Sequence, residues 1–338
     1  MKRFIQLLLC TLLVLTSAAH AKTPDQLRNE FINDMVKRYG FSRDELTKTL
    51  NQAVTQKKIL EAISRPAERT LNWTQYRAIF LKPDRIHGGV DFWRQHANTL
   101  ARAEKEYGVP PQIIVAILGV ETRYGAHTGG HRVIDALHTL GFHYPRRGEF
   151  FREQLSHFLR FAKEEEIAPT MPTGSYAGAM GMPQFMPDSF RVYAIDFDGD
   201  GHRDIWDNPV DVIGSVANYF VKKGNWKRGR PVATPASGVT AKHQAFVDAG
   251  AKPRLSATQL SGAGIKFDDA IAKGGKVSLM DFDTDNGTEY WVGSNNFYSI
   301  MRYNPRTKYA MAVYQLSEAI LDEYQKSQNP QPTAGKQP

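Results

Sequence analysis

Residues 113–120 read Ile-Ile-Val-Ala-Ile-Leu-Gly-Val, the most apolar run after residue 21, and Glu121 follows at once. Pro110 and Pro111 suit the first turn of a helix, and the pattern predicts an apolar helix over 111–122. The rest of the fold has to cover such a wall, and a carboxylate at its end is costly to bury unless it is paired or protonated. Glu121 is therefore either a helix-end charge that reaches water or an acid held in an apolar cleft because chemistry requires it. Thr122-Arg123-Tyr124-Gly125 come next.

The chain opens with Lys2 and Arg3, stays apolar from Phe4 to Leu15 and reaches Ala19-His20-Ala21 before Lys22. A basic start, an apolar stretch and an Ala-x-Ala site predict a cleaved secretory signal peptide over 1–21. The stretch is short for a membrane span, and no later segment is long enough. The single cysteine, Cys10, lies inside it, behind Leu9 and ahead of further apolar residues, so lipidation is not expected. The mature chain would carry no thiol, which removes disulfides and cysteine nucleophiles. The formal charge of the whole chain is +8 and stays positive without Lys2 and Arg3. That sign suits nucleic acid, anionic lipid or an acidic cell-wall polymer. Export makes nucleic acid the poorest fit, and no nucleic-acid motif supports it.

The fold class expected is α+β and mostly helical. An N-terminal helical domain spans 22–107. Phe31, Ile32, Met35 and Val36 share a face of its first helix, which Gly40 stops. Ser42-Arg43-Asp44-Glu45 is a capping-box pattern that opens the next. Trp73, Tyr76, Phe80, Phe92 and Trp93 read as core in preference to sugar-stacking rings, in a segment interrupted by Pro83 and Gly88-Gly89, and 91–107 reads as one helix ending at Gly108. Residues 108–226 form the next unit, with helices near 131–140, 147–166 and 209–223 and a loop-rich segment at 168–208. Residues 227–293 read as a small β-rich module: Lys276 to Asp283 alternates like a half-buried strand, and Asp285-Asn286-Gly287 signals a turn into Tyr290-Trp291-Val292. A C-terminal segment, 294–325, carries a helix over about 307–324, expected to pack back on the helical domain. Residues 326–338 read as a disordered tail.

The loop-rich segment holds the sharpest motif. Asp196-Phe197-Asp198-Gly199-Asp200-Gly201 begins a twelve-residue stretch ending at Asp207 that fits an EF-hand loop, with Asp where Glu is usual. Alternate carboxylates on a tight loop converge on one cation, and the carbonyl of the seventh position, His202, adds an oxygen. Calcium is the natural ion; the other reading is a solvated acidic turn. Asp207 is short for a closing ligand, and Asp211 could serve instead. Asp281 to Asn286 echoes the motif weakly and reads as a hairpin with solvated acids. His127 and His131 lack a metalloprotease Glu, and no nucleophile elbow, Walker loop or dinucleotide fingerprint is present. Ser175, Gly178-Ala179-Met180-Gly181 and Gln184-Phe185-Met186-Pro187 could line a sugar cleft or form an ordinary connection.

Several strings in one order settle on a resemblance. Val109 through Gly125, Tyr144-Pro-Arg-Arg147, Gly174 through Gly181, Gln184-Phe-Met-Pro187, the Asp196 loop, Gly214 through Phe220, Asn296-Phe-Tyr298 and Arg302-Tyr-Asn304 resemble the lytic murein transglycosylase B family. The resemblance implies a lysozyme-like core flanked by a helical domain and a small β domain. It also implies cleavage of the MurNAc–GlcNAc bond of peptidoglycan without water. Glu121 corresponds to the single catalytic acid/base. Tyr76, Ser175, Gln184, Phe185, Tyr219, Tyr303 and Asn304 fall where the family lines its glycan groove, and Arg146 and Arg147 fall on its substrate-side arginines. Asp196, Asp198, Asp200, His202 and Asp211 fall on its calcium site, where Asn208 is an extra residue before the closing ligand. The expected partner is the peptidoglycan glycan strand, acted on by a monomer with structural Ca²⁺ and no organic cofactor. Lacking a lipobox, the chain is expected to be a soluble periplasmic form. The rival readings are a hydrolytic muramidase and a catalytically silent murein-binding scaffold.

Overall fold

Caps supplied by the sequence set the N-terminal helices of the computed structural model, which describes residues 22–64 and 71–328. The expected signal peptide and residues 329–338 of the expected tail lie outside those residues. Thr23 caps α1 (Pro24–Tyr39) in a reciprocal box with Gln26, and Gly40 ends it in the left-handed conformation, φ 65°. Ser42 caps α2 (Arg43–Asn51) through the Glu45 amide, and α3 (Lys57–Ser64) follows. Asn72 caps α4 (Trp73–Phe80), Pro83 opens α5 (Pro83–Gln95), and α6 (Ala97–Tyr107) ends at Gly108. The sequence reading differs here twice. The stretch 91–107 is not one helix but two, parted at His96, whose φ of −115° is not helical. Gly88-Gly89 do not interrupt a helix; they lie inside α5, where a tyrosine ring from another element packs on them.

The apolar run forms α7 (Pro111–Thr122), and Ile113 through Gly119 are buried. After it come α8 (Val133–His143), α9 (Gly148–Glu164), α10 (Pro187–Tyr193) and α11 (Pro209–Lys222). Two residues of β1 (His131–Arg132) pair antiparallel with β2 (Thr173–Gly174), which ties the loop behind α7 to the loop behind α9. Helix α7 is wrapped by α5, α6, α11 and the C-terminal α15 (Thr307–Gln328). Each buried Ile or Leu contributes roughly 1.5–3 kcal/mol, so the wall that ends in Glu121 is anchored on every side.

The β-rich module is a three-stranded antiparallel sheet of β3 (Ala233–Ala236), β4 (Ser278–Thr284) and β5 (Gly287–Gly293), in the order β3-β5-β4. Strand alternation gives β4 two faces. Leu279 joins a small local core with Leu260, Ile265, Ile271, Val277 and Val292. Met280 and Phe282 point the other way into the main core, where the Phe282 ring lies 5.2 Å from that of Trp73. Short helices α12 (Gln244–Asp248) and α13 (Ala257–Gly262) complete the module.

Helix α14 (Asn295–Met301) leads into α15, which runs back across α4, α5 and α7. The rings of Trp93 and Tyr324 stack at 4.3 Å. Helix α15 extends past the expected start of the tail to Gln328, helped by the Lys326–Asp322 pair one turn apart at 2.6 Å. Among the described residues no helix is long and apolar enough to cross a membrane.

Candidate active site

Glu121 sits in the last turn of α7, half-buried. Behind it the chain reverses through Arg123, Tyr124 and Gly125, with φ of 50°, 60° and 91°. Two non-glycine residues in that region cost of order 1–3 kcal/mol each, and the surrounding bonds hold them there. The Tyr124 amide donates to the Leu118 carbonyl at 3.0 Å, and the His127 amide to the Thr122 carbonyl at 2.9 Å. Thr122, itself buried, donates its hydroxyl to the Met182 carbonyl at 2.9 Å and accepts from the Gly125 amide at 3.1 Å. The turn after Glu121 is thereby stitched to the Gly- and Met-rich loop.

The hydroxyl of Tyr309 donates to Oε1 of Glu121. Tyr309 is buried in the first turn of α15, and the packing of α15 on α7 brings it there. Sequence reasoning missed this residue. It lies 188 positions from Glu121, and its only local signal was its place five residues beyond Asn304.

Beside this pair the structure gathers three of the residues expected in the groove. The Tyr303 and Tyr219 rings lie 4.8 Å apart, and Phe185 is 5.4 Å from Tyr219 and 6.0 Å from Tyr303. Their hydroxyls are engaged with backbone, Tyr219 with the Arg302 carbonyl at 2.7 Å and Tyr303 with that of Pro183. Burial first and then the Glu121 charge push the Tyr303 and Tyr309 hydroxyls well above the ordinary tyrosine range. Burial pushes Tyr219 up too, with Tyr193 next and Glu121 among the smaller causes. All three stay neutral, and the charge of Glu121 reaches each of them.

The other expected groove residues are placed as follows. Tyr76, on α4, lines a cavity of about 460 Å³ with Leu71, Ala251, Met301 and Pro305, and Asn304 is in the turn between α14 and α15. Ser175 accepts from the amides of Ala177 and Ala179 at 3.3 and 3.0 Å, so its hydroxyl shapes its own loop. Gln184, at φ 51°, donates its amide to the carbonyls of Thr128 and Gly181 at 3.0 and 2.9 Å. Arg146 and Arg147 lie exposed in the turn between α8 and α9, with the Arg147 guanidinium 4.3 Å from the Phe150 ring centre.

In the acidic loop, oxygens of Asp196, Asp198 and Asp211 all fall within 4.8 Å of one another. Asp211 is fully buried, accepting from the Phe197 and Asp204 amides at 2.6 and 2.9 Å. Burial, with the Asp198 and Asp196 charges adding to it, raises its carboxyl above the usual range against those two bonds. Asp207 is exposed and outside the cluster. Asn208, the extra residue, caps α11 through the Val210 amide and donates to Asp198 at 2.8 Å. Asp200, the next carboxylate of the loop, accepts from the His202 amide at 2.8 Å, and its own amide donates to Asp196 and Asp198 at 3.1 and 3.3 Å. Three like charges this close repel one another, and a hard dication with oxygen preference is the group that fits them.

Comparison with known proteins follows the same lines. Residues 23–318 match the transglycosylase SLT domain family. The membrane-bound lytic murein transglycosylase B of Escherichia coli K12 is 44% identical over 300 residues, covering 86% of this chain and 81% of its own. The crystal structure of the soluble lytic transglycosylase SltB1 of Pseudomonas aeruginosa is 51% identical, with a TM-score of 0.83, and covers 88% of this chain and 99% of that one. The E. coli lytic transglycosylase Slt35, solved in complex with calcium, is 43% identical, with a TM-score of 0.79 over 88% and 93% of the two chains. With its helical fold, its carboxylate at the end of a buried helix and a family match over most of its length, the chain belongs to the transglycosylase SLT family, among the lytic murein transglycosylases.

Proposed function

We propose that this lytic transglycosylase cleaves the MurNAc–GlcNAc β-1,4 bond of peptidoglycan without water, using Glu121 first as acid and then as base. One observation carries the reading. Glu121 stands in the last turn of the buried, apolar α7, where the hydroxyl of Tyr309, buried on α15, donates to its carboxylate. Ordinary glycosidases place two carboxyl groups across the bond; this setting suits one.

The apolar wall of α7 and the partial negative charge at a helix C-terminus favour the protonated acid. Glu121 donates that proton to the glycosidic oxygen as the bond to C1 breaks, and the N-acetyl oxygen of the sugar steadies the positive charge at C1. The carboxylate left behind then takes the proton of the C6 hydroxyl, whose oxygen closes onto C1 as a 1,6-anhydro ring. An internal nucleophile has the advantage of proximity. Tyr309 stays hydrogen-bonded through both halves, since a phenol can accept from the acid and donate to the carboxylate. Tyr76, Ser175, Gln184, Phe185, Tyr219, Tyr303 and Asn304 line the groove, partly by shaping the loop that forms it, and Arg146 and Arg147 offer cations to the acidic polymer.

Asp196, Asp198 and Asp211, with Asp200 and the His202 carbonyl, would hold Ca²⁺, which when bound neutralises the carboxylates and fixes the loop. The chain acts in the periplasm as a monomer, after removal of residues 1–21.

The test is Glu121→Gln assayed on purified sacculi. The variant should fold, pellet with sacculi like the native protein and lose turnover by at least a thousandfold. Release of muropeptides at the native rate would end the assignment.

A further inference from the structure

We infer that Tyr124 is a positioning residue for Glu121: its ring and hydroxyl pin the left-handed turn that fixes where the acid stands. The inference rests on the reading of Glu121 as the acid and extends it to a residue three positions on.

The geometry is specific. The Tyr124 ring occupies a slot cut from two helices by three glycines. A Cβ on Gly119 of α7 would lie 2.5 Å from the Tyr124 hydroxyl oxygen, one on Gly89 of α5 2.7 Å from it, and one on Gly88 3.1 Å from the ring edge. Contacts under 3.0 Å force something to move, so a side chain at Gly119 would displace the Tyr124 ring, and one at Gly89 would displace the ring, Ile320 of α15 at 2.6 Å, or both. The Phe92 ring stacks on that of Tyr124 at 5.8 Å and closes the slot. At its end the Tyr124 hydroxyl donates to the Arg85 carbonyl at 2.7 Å. The same residue begins the reversal: with Arg123 it holds a positive φ that a residue with a side chain rarely adopts, and its amide reaches back to Leu118. A wedged ring with a tied hydroxyl over-determines this strained backbone. It fixes the angle at which α7 ends, and hence where Glu121 stands relative to Tyr309 on α15. Burial keeps the hydroxyl a neutral donor.

Glycine pairs in a helix interior weaken it, and α5 carries Gly88-Gly89 without a turn to explain them. The slot accounts for Gly119 inside the apolar run; it crowds Gly88 at 3.1 Å and shares Gly89 with the close approach of Ile320.

The experiment compares Tyr124→Phe, Tyr124→Ala and Glu121→Gln with the native protein on sacculi. It measures kcat and KM separately, the pH–rate profile and the melting temperature. Tyr124→Phe keeps the ring and removes the tie, so it should fold, hold KM within twofold and lose threefold or more in kcat, with a displaced pH–rate profile. Tyr124→Ala, assayed below its melting temperature, should lose kcat by at least thirtyfold with KM still near native. If Tyr124→Ala does not fold, Tyr124→Phe decides. Native kcat and an unmoved profile in Tyr124→Phe would overturn the inference, as would a Tyr124→Ala that melts early yet turns over normally. If those results come with a dead Glu121→Gln, only the role of Tyr124 fails. An active Glu121→Gln would remove the underlying reading, and this inference with it.

Discussion

A tyrosine hydroxyl can serve a carboxyl group in both of its protonation states, and that is what Tyr309 offers Glu121. Donation to the charged form matters more, because bonds to charged groups are the stronger ones. Tyr309→Phe should therefore lower kcat about tenfold or more, in line with roughly 1.5–3 kcal/mol for a hydrogen bond to a charge. Losing a donor to the carboxylate also favours the acid form. The limb on which rate falls with rising pH should then move to higher pH, and a pH–rate profile of the variant checks this. A limb that stays in place would mean that the two groups do not interact during turnover. Glu121 stood out in the sequence because a carboxylate ending an apolar run is conspicuous, but the run alone left it open between a helix-end charge and an acid, and the proposed role came from the family resemblance. Tyr309 was not, because its pairing joins two helices 188 residues apart, and nothing local to a final amphipathic helix marks one tyrosine among several.

Elements show a second contrast between what a sequence displays and what it hides. The bounds of α7 follow from Pro111 and the apolar run, and the β4–β5 hairpin follows from alternation and an Asp-Asn-Gly turn. Gly88-Gly89 mislead for a physical reason: a break and a slot need the same absent side chain, and only the tertiary contact tells them apart. The acidic loop was legible as a motif, but the choice between Asp207 and Asp211 depended on how α11 docks. Asp211 is the buried one, with Phe197 and Asp204 amides on its two oxygens. Asp211→Ala should leave those amides without partners, at about 1–3 kcal/mol each, and lower the melting temperature even in chelator. Calcium should raise the melting temperature of the native protein, by about 2.7 kcal/mol of stability at a hundred times its dissociation constant, and should do nothing for the variant. A calorimetric scan with calcium and with chelator reads both effects; equal calcium shifts in the two proteins would exclude Asp211 as a ligand.

For the whole molecule, acid is the condition that most directly tests how the helical part is held together. His138, buried in α8 against Phe142, has its imidazole pushed down to about 4 from 6.5, by burial first and then by the His143 and Arg28 charges. Below pH 6.5 the unfolded chain binds a proton that the folded chain refuses. Stability should therefore fall as pH drops from about 6.5 to about 4 and change no further on this account below that. The effect is on the order of 3 kcal/mol at about 1.4 kcal/mol per unit. His138→Leu should flatten that part of the melting-temperature profile; an equally steep fall in the variant would place the acid sensitivity elsewhere. The overall α+β architecture could be read from helix caps, periodicity and turn residues. The return of the C-terminal helix onto the helical domain was expected too; what no single segment showed is that α15 also lies along α7 and brings Tyr309 to Glu121.

The central claim is that bond cleavage consumes no water. Digestion of purified sacculi in oxygen-18 water, followed by mass spectrometry of the released muropeptides, addresses it without any variant. The account predicts 1,6-anhydro ends that are one water lighter than hydrolytic ends and carry no label. New reducing ends bearing one heavy oxygen per cleaved bond would contradict it.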